Sequence, residues 1–241
     1  LNFIKNMEHT SLFAGNWWIW AIFIGFTLIS WLISNQLKSR FAKYSKIPTD
    51  NGMTGRDVVE KMLRDNGITG VKIGSVEGQL TDHYNPANKT INLSRDVYYG
   101  NSIAAAAVAA HETGHAIQHA KAYSMLKLRS ALVPAVEFAS HWVQWILLAG
   151  IILVNSFPGL LLAGIGLFAI MTLFSFITLP VEIDASHRAL AWLRNSGITN
   201  YQTQGYAFDA LKWAAYTYVI AALSSLATLL YYIMIYLNRR D

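Results

Sequence analysis

Three long stretches of the sequence contain no Asp, Glu, Lys or Arg: residues 17–33, 138–181 and 213–238. A run of about 20 apolar residues is long enough to cross a bilayer as a helix. The second stretch is about twice that length, and turn-forming residues occupy its middle at 155–159. We therefore expect it to form a hairpin of two spans. The sequence predicts four transmembrane helices.

The composition supports a membrane protein. Hydrophobic residues make up 54% of the chain and charged residues only 14%, whereas soluble domains carry about 25% charged residues. There is no cysteine, which excludes disulfides, thiolate metal sites and cysteine nucleophiles. Any metal must be bound by His, Asp or Glu. The net charge of +5 is spread along the chain, so it indicates a lipid bilayer as partner and not nucleic acid.

The cations also predict an orientation. All except Lys5, Arg239 and Arg240 lie within residues 38–137 or 182–212. The positive-inside rule makes both segments cytoplasmic and places both termini outside. The predicted layout is an N-terminal segment with the first span (1–37), a cytoplasmic domain (38–137), a transmembrane hairpin (138–181), a cytoplasmic segment (182–212), and a last span with the tail (213–241). The first span lacks a basic region before it and a cleavage site after it, which argues against a cleaved signal peptide.

The segment 38–137 has the local signals of a small α+β domain. A helix is expected to begin after Thr54, which starts a capping-box pattern. A second helix is expected at 103–123, with Ser102 as its N-cap. Three strands are predicted, the last two as a hairpin, at 71–76, 79–84 and 89–94. The predicted fold is a mainly α integral membrane protein: four transmembrane helices with a cytoplasmic α+β domain containing a small β-hairpin or sheet.

The predicted helix at 103–123 contains the sequence His-Glu-Thr-Gly-His at 111–115, which fits the H-E-x-x-H pattern. Positions i and i+4 share one face of a helix, so His111 and His115 can both bind one Zn²⁺ ion. Zinc lowers the pKa of a water to near neutrality, and Glu112 is the predicted general base that takes its proton as the water attacks a peptide carbonyl. The alternative is an amphipathic helix with two exposed histidines.

The third ligand is expected where the hairpin leaves the bilayer. Glu182 and Asp184 are the first acids after residues 138–181, and acids at a membrane boundary are often functional. Glu182 is the predicted ligand; Asp184 is the alternative ligand or a partner that orients a ligand histidine. Both acids could instead only mark the water boundary. His187 could donate to a developing oxyanion or simply be solvated. His119 lies two turns from His111, about 12 Å along the axis, and is predicted to be a surface or supporting residue.

Several runs of the sequence match a known pattern: TDHYNP (81–86), NLS (92–94), VYYGNS (97–102), AAHETGHAIQ (109–118), LPVEIDAS (179–186) and AAYTYV (214–219). On these runs the chain resembles the YugP-type neutral zinc metallopeptidases of bacteria and, more distantly, the HtpX-type membrane peptidases. The cytoplasmic α+β domain is therefore predicted to be a zincin-like metallopeptidase domain. The resemblance implies zinc ligands His111, His115 and Glu182, the base Glu112, and a multi-pass protein of the bacterial plasma membrane. HtpX-type enzymes have Asp four residues after the ligand Glu, where this chain has Ser186.

The predicted function is that of a membrane-bound zinc-dependent endopeptidase whose active site faces the cytoplasm. It is expected to cleave a protein or peptide substrate in membrane protein quality control or processing. An extended substrate is expected to bind the strand edge at 89–94 or the loop after it, and residues 82–84 either line the cleft or belong to a turn surface. The alternative is a catalytically restrained zinc-bound scaffold or adaptor for a membrane protein partner; homo-oligomerisation also stays open. Glu112 argues against a scaffold. Residues 103–110 are too short to span a bilayer, which disfavours an intramembrane protease.

Overall fold

The computed structural model describes residues 17–238. The helices in this range are α1 (Trp17–Tyr44), α2 (Gly55–Asp65), α3 (Arg95–Tyr98), α4 (Ile103–Ala120), α5 (Ser124–Ile152), α6 (Pro158–Asn195) and α7 (Tyr201–Leu237). The strands are β1 (Lys72–Val76), β2 (His83–Asn85) and β3 (Thr90–Ser94). The orientation argument based on Lys5, Arg239 and Arg240 concerns residues outside the described range.

Helices α1, α5, α6 and α7 are long and apolar enough to cross a membrane, which confirms the number of predicted spans by length and composition. The connection between α5 and α6 is short and lies at residues 153–157, where the sequence predicts the tip of the hairpin. Both helices extend well beyond the uncharged stretch. Because α6 continues without a break to Asn195, the segment that contains Glu182 is part of the same rigid helix as the third span.

The three strands form one sheet with β3 in the centre, in the order β1-β3-β2. Strands β1 and β3 are parallel, whereas β2 and β3 are antiparallel, with Tyr84 paired to Ile91. The predicted hairpin is therefore present, but its first strand begins at His83 and not at residue 79. Gly78 and Leu80 have positive φ values, so the chain is still turning there. The expectation that 89–94 offers a free edge to substrate is wrong, since β3 is paired on both sides.

Helix α4 lies at the centre of the extramembrane core. Residues 104–107, 109 and 110 of this helix are alanines and are buried, so their short side chains let other elements pack closely against α4. It is surrounded by α2, α6 and α7 and by the sheet, from which Ile91 and Leu93 are fully buried. The helix that carries the His-Glu-Thr-Gly-His sequence is thus held on most of its faces.

Candidate metal centre

Helix α4 presents the two histidines side by side. The Ser102 hydroxyl accepts a hydrogen bond from the Ala105 N–H at 3.2 Å, which caps the start of the helix as its sequence predicts. One turn separates His111 from His115, and their ring centroids lie 4.8 Å apart with the rings nearly perpendicular. His119, a further turn along, does not join them; its Nδ1 lies 2.7 Å from the Tyr84 hydroxyl on β2.

Glu182 reaches the two histidines from α6, although 66 residues separate it from His115 in the sequence. Its Oε2 lies 3.2 Å from the Nε2 of His111 and 3.5 Å from the Nε2 of His115. One ligand atom from each of the three residues lies within 4.8 Å of the other two. Zinc bonds of 2.0–2.1 Å in a tetrahedral site place ligand atoms about 3.4 Å apart. The donor set and its spacing therefore fit a zinc ion.

A close contact between helix backbones makes this convergence possible. A Cβ atom added at Gly114 would lie 2.7 Å from the carbonyl oxygen of Ala185 and 3.1 Å from its Cα. Only glycine allows α4 and α6 to approach this closely. Gly114 lies between Glu112 and His115 in α4, and Ala185 is three residues beyond Glu182 in α6. The contact thus sets the distance between the histidines and the carboxylate.

Each histidine is held through its second ring nitrogen. The Ser186 hydroxyl lies 3.1 Å from the Nδ1 of His111, and the side-chain carbonyl of Gln118 lies 3.1 Å from the Nδ1 of His115. When Nδ1–H donates this hydrogen bond, Nε2 is unprotonated and available to a metal. Ser186, the position at which HtpX-type enzymes have Asp, therefore still provides a partner for a ligand histidine.

Asp184 is placed outside the ligand cluster. Its carboxylate accepts hydrogen bonds from the Gln118 amide at 2.7 Å and from Arg188 at 2.6 Å. The Gln118 amide also donates to the Val181 carbonyl oxygen at 2.8 Å. Asp184 thus orients His115 through Gln118, which agrees with the predicted supporting role and not with the ligand role. The sequence reasoning missed Gln118, although its position three residues after His115 places it on the neighbouring face of the helix.

Residues 19–237 match the family model described as "Putative neutral zinc metallopeptidase". The chain belongs to this family of zinc metallopeptidases. It is 43% identical over 206 residues to "Putative membrane protease YugP" of Bacillus subtilis (strain 168), a match that covers 86% of this chain and 91% of that protein. No solved structure matches the chain. The family confirms the resemblance seen in the sequence, and the cluster of His111, His115 and Glu182 has donor atoms close enough together to hold a metal ion.

In this member of the family, Glu112 is buried beside the ligand cluster and lines a cavity of about 100 Å³. The wall of the cavity comes from β2 and its flanks, from α4 and from three long helices. The lining residues are Asp82, His83, Tyr84, Pro86, Glu112, His115, Leu126, Arg129, Glu182 and Tyr218. Residues 82–84 therefore line the cleft. His187 is exposed and is not among the lining residues.

The cavity of this metallopeptidase is rich in acidic groups. Asp82 accepts hydrogen bonds from the backbone N–H of Ser94 at 2.7 Å and from its hydroxyl at 3.1 Å, which joins the start of β2 to the end of β3. Burial raises the pKa of Asp82 in spite of these hydrogen bonds, and the nearby Glu112 raises it further. Burial alone would lower the pKa of His115, but Glu182 and Glu112 raise it above its usual value. The site therefore strongly favours positive charge, as a cation-binding site should.

Proposed function

We propose that the chain is a membrane-bound zinc-dependent endopeptidase in which His111, His115 and Glu182 hold the ion and Glu112 is the general base. One observation carries this proposal: three ligand atoms from two helices converge, and two of these residues, His115 and Glu182, line one cavity with the buried Glu112. A purely structural zinc site has four protein ligands and needs no such base. Among residues 17–238 the cluster offers three ligands, which is the number in catalytic zinc sites.

Zinc, when bound, lowers the pKa of water and polarises the peptide carbonyl. The protein contributes the proton transfers. Glu112 accepts a proton from the attacking water, and the resulting carboxylic acid then donates it to the nitrogen of the leaving amine. Ser186 and Gln118 hold the histidines in one orientation during this cycle, so little reorganisation is needed when charge develops.

The substrate is proposed to be an extended protein or peptide segment that adds to the sheet at β2. Among the described strands, β2 is the edge strand beside the cavity. Its residues His83 and Tyr84 line the cavity. An edge strand has unpaired backbone groups that a peptide can pair with. The hydrogen bond between the Tyr84 hydroxyl and His119 fixes β2 to the helix that carries Glu112. Substrate and base are therefore positioned by the same unit.

The protein is proposed to be a multi-pass protein of the bacterial plasma membrane, with residues 38–137 and 182–212 in the cytoplasm and a role in membrane protein quality control or processing. The cations around the spans support this orientation. The cysteine-free sequence allows a clean test, because Glu77→Cys and Asn155→Cys each introduce one exposed thiol. A membrane-impermeant maleimide should label Asn155→Cys in intact cells and Glu77→Cys only after permeabilisation. The reverse pattern would place the site outside.

The decisive experiment is cleavage of β-casein by zinc-loaded, detergent-purified protein. We expect the wild type to cleave and Glu112→Gln to retain zinc but lose activity by a factor of about 10²–10⁴, the usual contribution of a general base. Glu137→Gln is the matched control, since Glu137 is exposed on α5 and should leave cleavage unchanged. Equal cleavage by wild type and Glu112→Gln would indicate a contaminant. If neither the wild type nor Glu112→Gln cleaves β-casein although both bind zinc, the scaffold or adaptor function is favoured.

A further inference from the structure

Arg129 is an unpaired cation in the wall of the cavity. It lies near the start of α5 and lines the same space as Glu112, His115 and Glu182. Its Nε atom is buried and has no hydrogen-bond partner in the described part of the chain. Within residues 17–238 its guanidinium forms no ion pair either. The guanidinium instead lies 5.7 Å from the centre of the Phe174 ring of α6.

Other cations near the membrane boundary, unlike Arg129, are either paired with a carboxylate or exposed. Arg188 is paired with Asp184, and Lys212 with Asp209, while Lys127, two residues before Arg129, is exposed. A buried donor without a partner is costly, and more so when it belongs to a charged group. Such a group is retained where it has a function. The partner of Arg129 is therefore expected to be a molecule that enters the cavity.

Tyr218 of α7 stands next to Arg129 in this cavity. Both residues line it, together with Glu112 and Glu182. A neutral O–H donor and a fixed cation are thus brought together by two transmembrane helices, beside a metal ligand and the general base. Neither residue is needed to hold the metal, since His111, His115 and Glu182 already provide the ligands.

We propose that Arg129 and Tyr218 together bind the carbonyl oxygen of the scissile peptide bond and stabilise the negative charge that develops on it. This inference rests on the proposed peptidase function. As water attacks, a new C–O bond forms, the C=O π electrons move to the carbonyl oxygen, and Glu112 takes the proton. When the C–N bond breaks, those electrons return to the carbonyl and the amine takes the proton. Donors aimed at this oxygen act mainly in the transition state, because its charge exists only there.

The test compares Arg129→Met with Lys127→Met, and Tyr218→Phe with Tyr216→Phe, on a fluorogenic peptide cut from the β-casein sequence. We expect Arg129→Met to lower kcat by a factor of about 10²–10³, as loss of one oxyanion donor does, with KM changed by no more than about threefold. Tyr218→Phe should lower kcat in the same way, and Arg129→Lys should restore part of the loss. Both control variants should match the wild type, and all variants should bind zinc equally.

A binding measurement provides a second readout that does not depend on turnover. A phosphinic pseudopeptide has a tetrahedral, negatively charged centre that imitates the transition state, and its affinity for the zinc-loaded proteins can be measured by calorimetry. We expect Arg129→Met to bind it at least about tenfold more weakly than the wild type, and Lys127→Met to bind it equally. Equal affinity of Arg129→Met and wild type, including no binding to either, would overturn the inference.

The kinetic outcomes separate this inference from the proposed function. If the wild type cleaves and Glu112→Gln does not, the peptidase function stands. An unchanged kcat in Arg129→Met, or an effect confined to KM, would then overturn the role of Arg129 and Tyr218 alone. If the wild type and Glu112→Gln are equally silent, the proposed function fails, and this inference fails with it.

Discussion

The contact between Gly114 and Ala185 predicts that a single methyl group will impair the metal site. In Gly114→Ala the new Cβ would lie 2.7 Å from the Ala185 carbonyl oxygen. Carbon and carbonyl oxygen normally approach to about 3.3 Å, so the two helices must separate locally by about 0.6 Å. Metal–ligand distances tolerate deviations of only about 0.2 Å. Because His111 and His115 lie on one helix and Glu182 on the other, this separation acts directly on the ligand cluster.

The fold should tolerate the same change better than the metal site does. Overpacking costs about 1–3 kcal/mol, but replacing glycine by alanine inside a helix returns about 1 kcal/mol. The net loss of stability is therefore expected to be between zero and about 2 kcal/mol. We expect zinc affinity, by contrast, to fall at least about tenfold, in the range seen when the support of metal ligands is disturbed.

The assay is competition for zinc with a chromophoric chelator, accompanied by thermal unfolding in detergent. Gly205→Ala on α7 is the matched control, since a Cβ there would meet nothing within 4 Å. That variant should keep its zinc affinity and gain stability of up to about 1 kcal/mol. If Gly114→Ala binds zinc as tightly as Gly205→Ala does, the argument that this contact sets the ligand distances is refuted.

Three further predictions concern the residues that hydrogen-bond to the two histidines, and the metal itself. Ser186→Ala should weaken zinc binding by a factor of about 10, because His111 loses its partner at Nδ1; an unchanged affinity by chelator competition would contradict this. Gln118→Leu should weaken zinc binding about 10- to 100-fold, because His115 loses its partner at Nδ1. It should also lower the unfolding temperature, since buried groups that were hydrogen-bonded to Gln118 lose that bond. Chelation of zinc should lower the unfolding temperature of the wild type, because zinc at 100 times its Kd stabilises the folded protein by about 2.7 kcal/mol. It should not change the unfolding temperature of Glu182→Ala. Equal shifts in both proteins would argue against Glu182 as a ligand.

Much of the architecture follows from local patterns. The uncharged stretches predict four spans because a bilayer core admits only helices with few charges, and residues 17–238 contain four such helices. The Ser102 cap and the apolar run predict α4, which ends at Ala120 and not at residue 123. The choice of Glu182 as the candidate third ligand also needed only the sequence, since an acid that directly follows a long apolar stretch is conspicuous.

The sheet shows where local patterns are insufficient. Residues 89–94 are correctly predicted as a strand, but the sequence could not show that β3 pairs with β1 as well as with β2. The paired residues of β1 and β3 are 18 positions apart in the chain, so this pairing is a long-range choice. A strand pattern contains no information about its neighbours. The strand edge proposed for substrate binding is therefore that of β2 and not that of β3.

The sequence by itself determined that this chain spans a membrane, that a thiolate site is excluded, and that His111, Glu112 and His115 share one helical turn. These properties depend on composition and on spacing within a single element. Only the tertiary structure decided that Ser186 and Gln118 hold the histidines, that Asp184 acts through Gln118, and that Arg129 and Tyr218 line the cavity. The physical reason is that these contacts, apart from the one between His115 and Gln118 within α4, join different helices. Their distances are set by how α4, α5, α6 and α7 pack.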